Sequence, residues 1–216
     1  FLVTGARERC GAGCRRFRLP PNAALRVAVA ERGRSFVVTL PTRWRPEGSP
    51  RARRLLERAQ ATMRRLRSAR EVEEVSSGPG SFARTTYRLR APDRMAFSTD
   101  RGVQSVIVGR RRAFRASGGP WQAGDYSGAL AFRTRTWFTW TTYARAVRLV
   151  GERREGGRRL ADLALMDEAT PVWIRLTVDL DSGRVVRERM TSNGHFLTAR
   201  YSRFDRPTTI RLPDAG

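Results

Sequence analysis

At 216 residues the chain has room for one sizeable domain, or one domain and a small module, and its 40% apolar content supports a buried core and excludes wholesale disorder. All 43 basic residues are arginine, against 20 acidic residues, for a net charge of +23. That charge attracts polyanions and anionic head groups, but the arginines are scattered, and no basic helix, zinc finger or aromatic–basic RNA motif accompanies them, so no specific nucleic-acid partner is expected.

Arginine-only usage fits an arginine-biased genome better than selection for guanidinium chemistry. No apolar run approaches the ~18 residues of a membrane span. The chain starts at Phe1 rather than Met, so it is expected to be a processed product or a fragment of a longer protein.

Residues 4–21 read as loop and contain Cys10-Gly-Ala-Gly-Cys14. Two cysteines separated by three small residues suit a disulfide, and with it an oxidising compartment. Free thiols and a soft-metal pair, such as for Cu(I), stay open as alternatives. Residues 24–29 and 35–40 form a hairpin pattern, the end of a small β-sandwich. PTRWRPEGSP (41–50) is a linker in which three prolines and a glycine block regular structure. It sets a boundary near Gly48, giving an N-terminal β segment over 1–47 and a main domain over 48–216.

Ser49 and Pro50 are an N-cap and first-turn pair. From 51 to about 70 the spacing predicts an amphipathic helix, with Ala52, Leu55, Leu56, Ala59, Met63 and Leu66 in one stripe. The stripe is expected to pack on a sheet rather than lie on a membrane. From Glu71 the period changes to two, and strands are predicted over 71–76, 83–91, 94–98, 103–108 and 112–116. One helix followed by successive strands is an α+β pattern.

The stretch FRTRTWFTWTTY (132–143) is the most aromatic. Strand and short helix are both open there, as are a core plug and a lid over an apolar cavity. Ala144, Val147 and Val150 are able to continue a helical face. Residues 160–166 form another strand. A three-stranded meander follows over 172–204, with turns at Asp181-Ser182-Gly183 and at Asn193-Gly194. In its first strand Val172, Ile174, Leu176, Val178 and Leu180 share one face. Residues 207–213 suggest a short edge strand.

Chemistry is sparse. His195 is the one histidine, which removes serine triads, Cys–His pairs and multi-histidine metal sites. Its strand parity with Leu197, Ala199 and Tyr201 favours a structural role. Cys10, Cys14, Met190 and His195 make a weak copper set. No glycine-rich phosphate loop opens a helix. The adjacent pairs Glu73–Glu74 and Asp167–Glu168 point to opposite strand faces and do not converge. The reading is a non-enzyme without a cofactor.

The runs YRLRAPDRMAF (87–97), VIVGRRRAFRASGGPWQ (106–122) and VDLDSGRVVRERM…HFLTARYSRFD (178–205) follow one amphipathic helix. In that order they resemble the LolA/LppX-like superfamily of lipoprotein and lipid carriers. The closing His-Phe-hydrophobic…Tyr…Phe run is also similar to the extracytoplasmic C-terminal region of CopD-like copper-resistance membrane proteins. The resemblance covers about 49–213 and implies an incomplete antiparallel barrel, a curved sheet wrapped around the helix. It implies that the apolar concave face holds a lipid or lipoprotein acyl chain, outside the cytoplasm and attached to a membrane through an upstream region.

The lining expected on that face is Leu55, Leu56, Met63, Leu89, Phe97, Ile107, Trp137, Trp140, Ile174, Leu176 and Leu197. Two other functions stand beside it: an accessory domain of a copper-resistance membrane protein, and a polyanion-binding module.

Overall fold

In a computed structural model of the chain, Ser49 sits in extended backbone and its hydroxyl accepts the N–H of Ala52 at 3.1 Å. Pro50 follows at the first helical position, and helix α1 runs over Pro50–Arg64. The side-chain oxygen satisfies an N–H that the helix itself cannot, and proline loses nothing where no N–H is needed. The structure describes residues 2–3, 6–9, 15–18, 25–31, 34–40, 48–78, 81–125, 133–167, 172–192 and 195–214. Cys10, Cys14 and the Asn193-Gly194 turn lie outside the described residues.

Two compact units divide the chain, Phe1–Pro46 and Glu47–Gly216. The first contains β1 (Leu2–Val3), β2 (Ala6–Arg9), β3 (Arg15–Arg18), β4 (Leu25–Glu31) and β5 (Arg34–Leu40). Strands β4 and β5 are the expected hairpin, and β1 adds to β4 as a third antiparallel strand. Strands β2 and β3 pair with each other.

The second unit is one antiparallel sheet of 11 strands with α1 packed on it. Its first meander comprises β6 (Ser68–Gly78), β7 (Ser81–Arg90), β8 (Arg94–Thr99), β9 (Gln104–Val108), β10 (Arg111–Arg115) and β11 (Gln122–Asp125). A crossing segment carries the one-turn helix α2 (Thr134–Trp137) and a 3-10 turn, Trp140–Tyr143. The second meander comprises β12 (Ala146–Glu155), β13 (Arg158–Asp167), β14 (Val172–Asp179), β15 (Arg184–Ser192) and β16 (His195–Ser202).

Pairing of the last strand, β16, with β6 joins the two meanders side by side. The order then runs from β11 at one edge to β12 at the other, so the sheet is open. This is the expected curved α+β architecture, a sheet wrapped around an amphipathic helix.

The helix stripe is buried as its spacing requires: Ala52, Leu56, Ala59 and Met63 have no exposed surface, and Leu66 is almost fully buried. They share one core with residues of both meanders, among them Leu89, Ile107, Leu163, Leu176 and Val185. Each fully buried leucine or valine contributes roughly 1.5–3 kcal/mol against exposure.

Four local expectations are corrected. Helix α1 ends at Arg64 rather than near 70, because the next residues are recruited into the sheet. The Arg67 N–H donates to Asp205 at 2.8 Å, the Ser68 hydroxyl to the Arg206 carbonyl at 2.6 Å, and the Asp205 N–H to the Ser68 carbonyl at 2.9 Å. Residues 146–155 are strand β12 rather than a helical continuation, since β13 offers a full antiparallel ladder. Residues 6–9 and 15–18, read as loop, are strands β2 and β3, paired with each other. Residues 207–213 form no strand: Pro207 and Pro213 lack the N–H that a ladder needs. Ile210 is instead buried, and its carbonyl accepts from Arg94 at 3.0 Å.

The outer face of β13 and β14 carries its own buried polar cluster. Asp162 accepts from Arg153 at 2.6 Å, Arg175 at 2.9 Å and Thr177 at 2.7 Å. Burial pushes the Asp162 carboxyl up, but the bonds from Thr177 and Arg175 and the two guanidinium charges outweigh it and hold it below the usual range.

Candidate functional site

Strand alternation places Glu71, Glu73 and Val75 on the same face of β6, and β16 sets Tyr201, Ala199 and Leu197 opposite them. Register carries this face onward: Leu197 opposes Met190, and Ala199 opposes Glu188. In turn Met190 opposes Ile174, and Glu188 opposes Leu176. On the other side Tyr87 of β7 opposes Glu71. Glu188 and Glu73 therefore flank Ala199 in one row, two strands apart, or about 10 Å at ordinary strand spacing.

The crossing segment lies over this face. It is held from the helix by three side chains. Arg53 donates to the carbonyls of Ala144 at 2.7 Å and Arg145 at 3.1 Å, and Arg64 donates to the Phe138 carbonyl at 2.8 Å. Gln60 does both jobs of an amide: its NH2 donates to the Thr141 hydroxyl at 2.7 Å, and its oxygen accepts the Thr141 N–H at 2.8 Å. Phe138, 1% exposed, is the part of the segment that plugs the core. It meets Trp140 and Tyr201 with ring centroids 5.3 and 5.7 Å away.

Between segment and sheet is a pocket of about 470 Å³. Trp137, Thr139, Trp140 and Tyr143 form one side; Val172, Ile174, Met190, Leu197, Tyr201 and the three glutamates Glu71, Glu73 and Glu188 form the other. Of the residues expected to line the apolar face, Trp137, Trp140, Ile174 and Leu197 border this pocket. The others lie in the packed core: Leu56, Met63, Leu89, Ile107 and Leu176 are buried, and Leu55 and Phe97 are packed against them. The aromatic stretch is thus plug and cover at once.

Glu71 and Glu188 were not singled out by the sequence, and Glu73 only in its diverging pair with Glu74. Each is met by a neutral donor. Trp137 Nε1 donates to Glu71 at 2.6 Å, Trp140 Nε1 and the Tyr201 hydroxyl donate to Glu188 at 2.8 and 2.7 Å, and the Tyr87 hydroxyl donates to Glu73 at 3.3 Å.

Burial pushes the Glu71 carboxyl up to about 8; the Trp137 bond works against this, and the charges of Glu73 and Glu188 add to it. Glu73 and Glu188 are likewise raised, in both cases first by burial. Burial and the nearby glutamates also raise the hydroxyls of Tyr87 and Tyr201. The spacing of Glu71 and Glu73, two apart on a strand, was the available signal; the adjacent pair Glu73–Glu74 diverges, as expected.

His195, at the start of β16, is exposed, and its Nδ1 lies 2.8 Å from the Ser77 hydroxyl. Met190 borders the pocket. No group of three or more His, Cys, Asp or Glu side chains is arranged to hold a metal among the described residues, which do not include Cys10 and Cys14. No helix among the described residues is long and apolar enough to cross a membrane.

No family model and no curated protein sequence matches the chain. Solved structures do. LprF from Mycobacterium bovis aligns with a TM-score of 0.59 at 12% identity, over 79% of this chain and 100% of that one. The lipoprotein LppX from Mycobacterium tuberculosis aligns with a TM-score of 0.58 at 11% identity, over 76% of this chain and 100% of that one. At such identities the likeness is one of fold, and the fold of this chain is like those of LprF and LppX.

Proposed function

We propose that residues 48–216 are a non-catalytic, extracytoplasmic carrier domain that holds an acyl chain of a lipid or lipoprotein. The chain lies between the sheet and the Trp137–Tyr143 cover, and an upstream region attaches the domain to a membrane. One observation carries this reading, the pocket of about 470 Å³ with Ile174, Met190 and Leu197 against indole and phenol rings. Its volume falls within the ~300–1,000 Å³ of small-ligand sites. Each methylene taken from water contributes ~0.8 kcal/mol, so a chain of about ten offsets a large part of the cost of association. Leu55, Leu56, Met63, Leu89, Phe97, Ile107 and Leu176 are packed in the core and are not among the residues bordering the pocket. The LppX-like fold agrees with this reading.

The test is displacement of a fluorescent fatty-acyl probe from the purified chain, with mass spectrometry of its organic extract. Saturable binding is expected, weakened more than tenfold by Ile174→Glu, which places a charge on the apolar wall. Absence of saturable binding together with a lipid-free extract would remove the proposal.

A further inference from the structure

The pocket has a charge opposite to that of the chain around it. The protein carries 43 arginines and a net charge of +23, yet the described residues bordering the pocket include three glutamates and no arginine. None of the three is in an ion pair with a described arginine; their partners are the neutral donors Trp137, Trp140, Tyr87 and Tyr201. Elsewhere carboxylates take arginine partners, as Asp162 does with Arg153 and Arg175 and Asp181 with Arg159. A carboxylate withdrawn from water without a cation is costly unless it keeps its proton or a ligand brings the opposite charge.

We infer that the pocket selects a cationic amphiphile, an amine-bearing single-chain lipid whose ammonium group seats against Glu71, Glu73 and Glu188 while its chain runs along Ile174, Met190 and Leu197. The inference rests on the acyl-carrier reading and names its ligand class. An ammonium group supplies the donors and the charge that the three carboxylates lack. The indole and phenol rings of Trp137, Trp140 and Tyr143 border the same space and suit a cation. An anionic head group meets three carboxyls and no guanidinium there.

Proton linkage follows from burial. With Glu71 raised to about 8, its carboxyl keeps a proton at neutral pH that an arriving ammonium expels, and burial moves Glu73 and Glu188 in the same direction. The titratable groups facing the site are these three carboxyls and the hydroxyls of Tyr87, Tyr143 and Tyr201, with those of Tyr87 and Tyr201 raised. Affinity for an amine therefore increases from pH 6 to about 8, whereas affinity for a neutral chain does not.

The experiment displaces one fluorescent acyl probe with dodecylamine, dodecanol and dodecanoate, on the full chain. Expected at pH 8 is at least about tenfold tighter binding of the amine than of the alcohol, the size of one favourable charge contact, with dodecanoate weakest. Glu71→Gln combined with Glu188→Gln removes most of the amine's advantage over the alcohol, Glu73 being the one carboxyl of the three left at the site. On the unaltered protein, calorimetry in buffers of different ionisation enthalpy reads proton release on amine binding, a measurement that needs no variant to fold. Equal affinity of amine and alcohol, or no proton release, overturns the cationic assignment alone. Failure of all three chains to displace the probe, or of the probe to bind, overturns the carrier reading as well.

Discussion

Trp140 donates its indole N–H across the pocket to Glu188 at 2.8 Å, from a 3-10 turn to the middle of β15. That bond ties the pocket's cover to its floor, and the Tyr201 hydroxyl completes it at 2.7 Å on the same oxygen. Cover and floor are thus joined through a carboxyl whose ionisation burial opposes.

The first expectation concerns pH and stability. Glu71 is raised to about 8 when folded, against 4.5 for the free group, and Glu73 and Glu188 move the same way. Between those values the native state binds more protons than the unfolded chain, so stability falls as pH rises. The contribution is fully present below about pH 4.5 and lost through about pH 8. It is on the order of a few kcal/mol, shared among coupled groups. Urea unfolding between pH 5 and 9 reads it. Glu71→Gln is expected to flatten the slope, and an unchanged slope would contradict the buried placement.

Gln60 is the clamp between helix and cover, bonded to both the hydroxyl and the N–H of Thr141. Gln60→Ala leaves that amide without its partner, at a cost of about 1–3 kcal/mol. Hydrogen exchange at Thr141 is expected to accelerate at least tenfold, with β7 and β8 unaffected. Uniform acceleration over the whole domain would mean global destabilisation instead.

The β14–β15 turn needs a glycine at its end. Gly183 is buried with φ +69°, and an added Cβ would come within 3.2 Å of the Thr62 hydroxyl on α1. Gly157 has a similar φ of +76° with open space around it. Both alanine variants carry the backbone strain of about 1–2 kcal/mol, but Gly183→Ala adds a tight contact with the Thr62 hydroxyl on the helix. Thermal unfolding should therefore rank Gly183→Ala below Gly157→Ala, and the reverse order would count against this packing.

Leu56 has no exposed surface and sits in the shared core of helix and sheet. Leu56→Ala is expected to cost ~2–5 kcal/mol from lost burial and the residual cavity. Leu55, on the flank of the stripe and only partly buried, is expected to cost less on the same change. Denaturant midpoints of the two variants settle the ranking.

The sequence by itself determined the parts whose signal is local. The Ser49–Pro50 start of α1, its stripe from Ala52 to Leu66, the β4–β5 hairpin and the faces of β14 all follow from capping chemistry and from periods of 3.6 and 2. The order of elements was enough to place the fold.

Tertiary structure decided what depends on pairing between distant strands. Helix α1 stops at Arg64 because Asp205 and Arg206 bind the following residues into the sheet. The segment from Trp137 to Tyr143 covers the pocket because Arg53, Gln60 and Arg64 fasten it from a helix far back in the chain. The acidic pocket itself rests on register: β16 pairs with β6 so that Tyr201 meets Glu71 and Ala199 meets Glu73, while β15 brings Glu188 beside Ala199. Strand alternation states that Glu71 and Glu73 share a face, but not which face is covered or which strand lies beside it. Burial then turns three ordinary glutamates into the most distinctive chemical feature of the domain, because desolvation acts on a carboxyl only after the fold has taken it out of water.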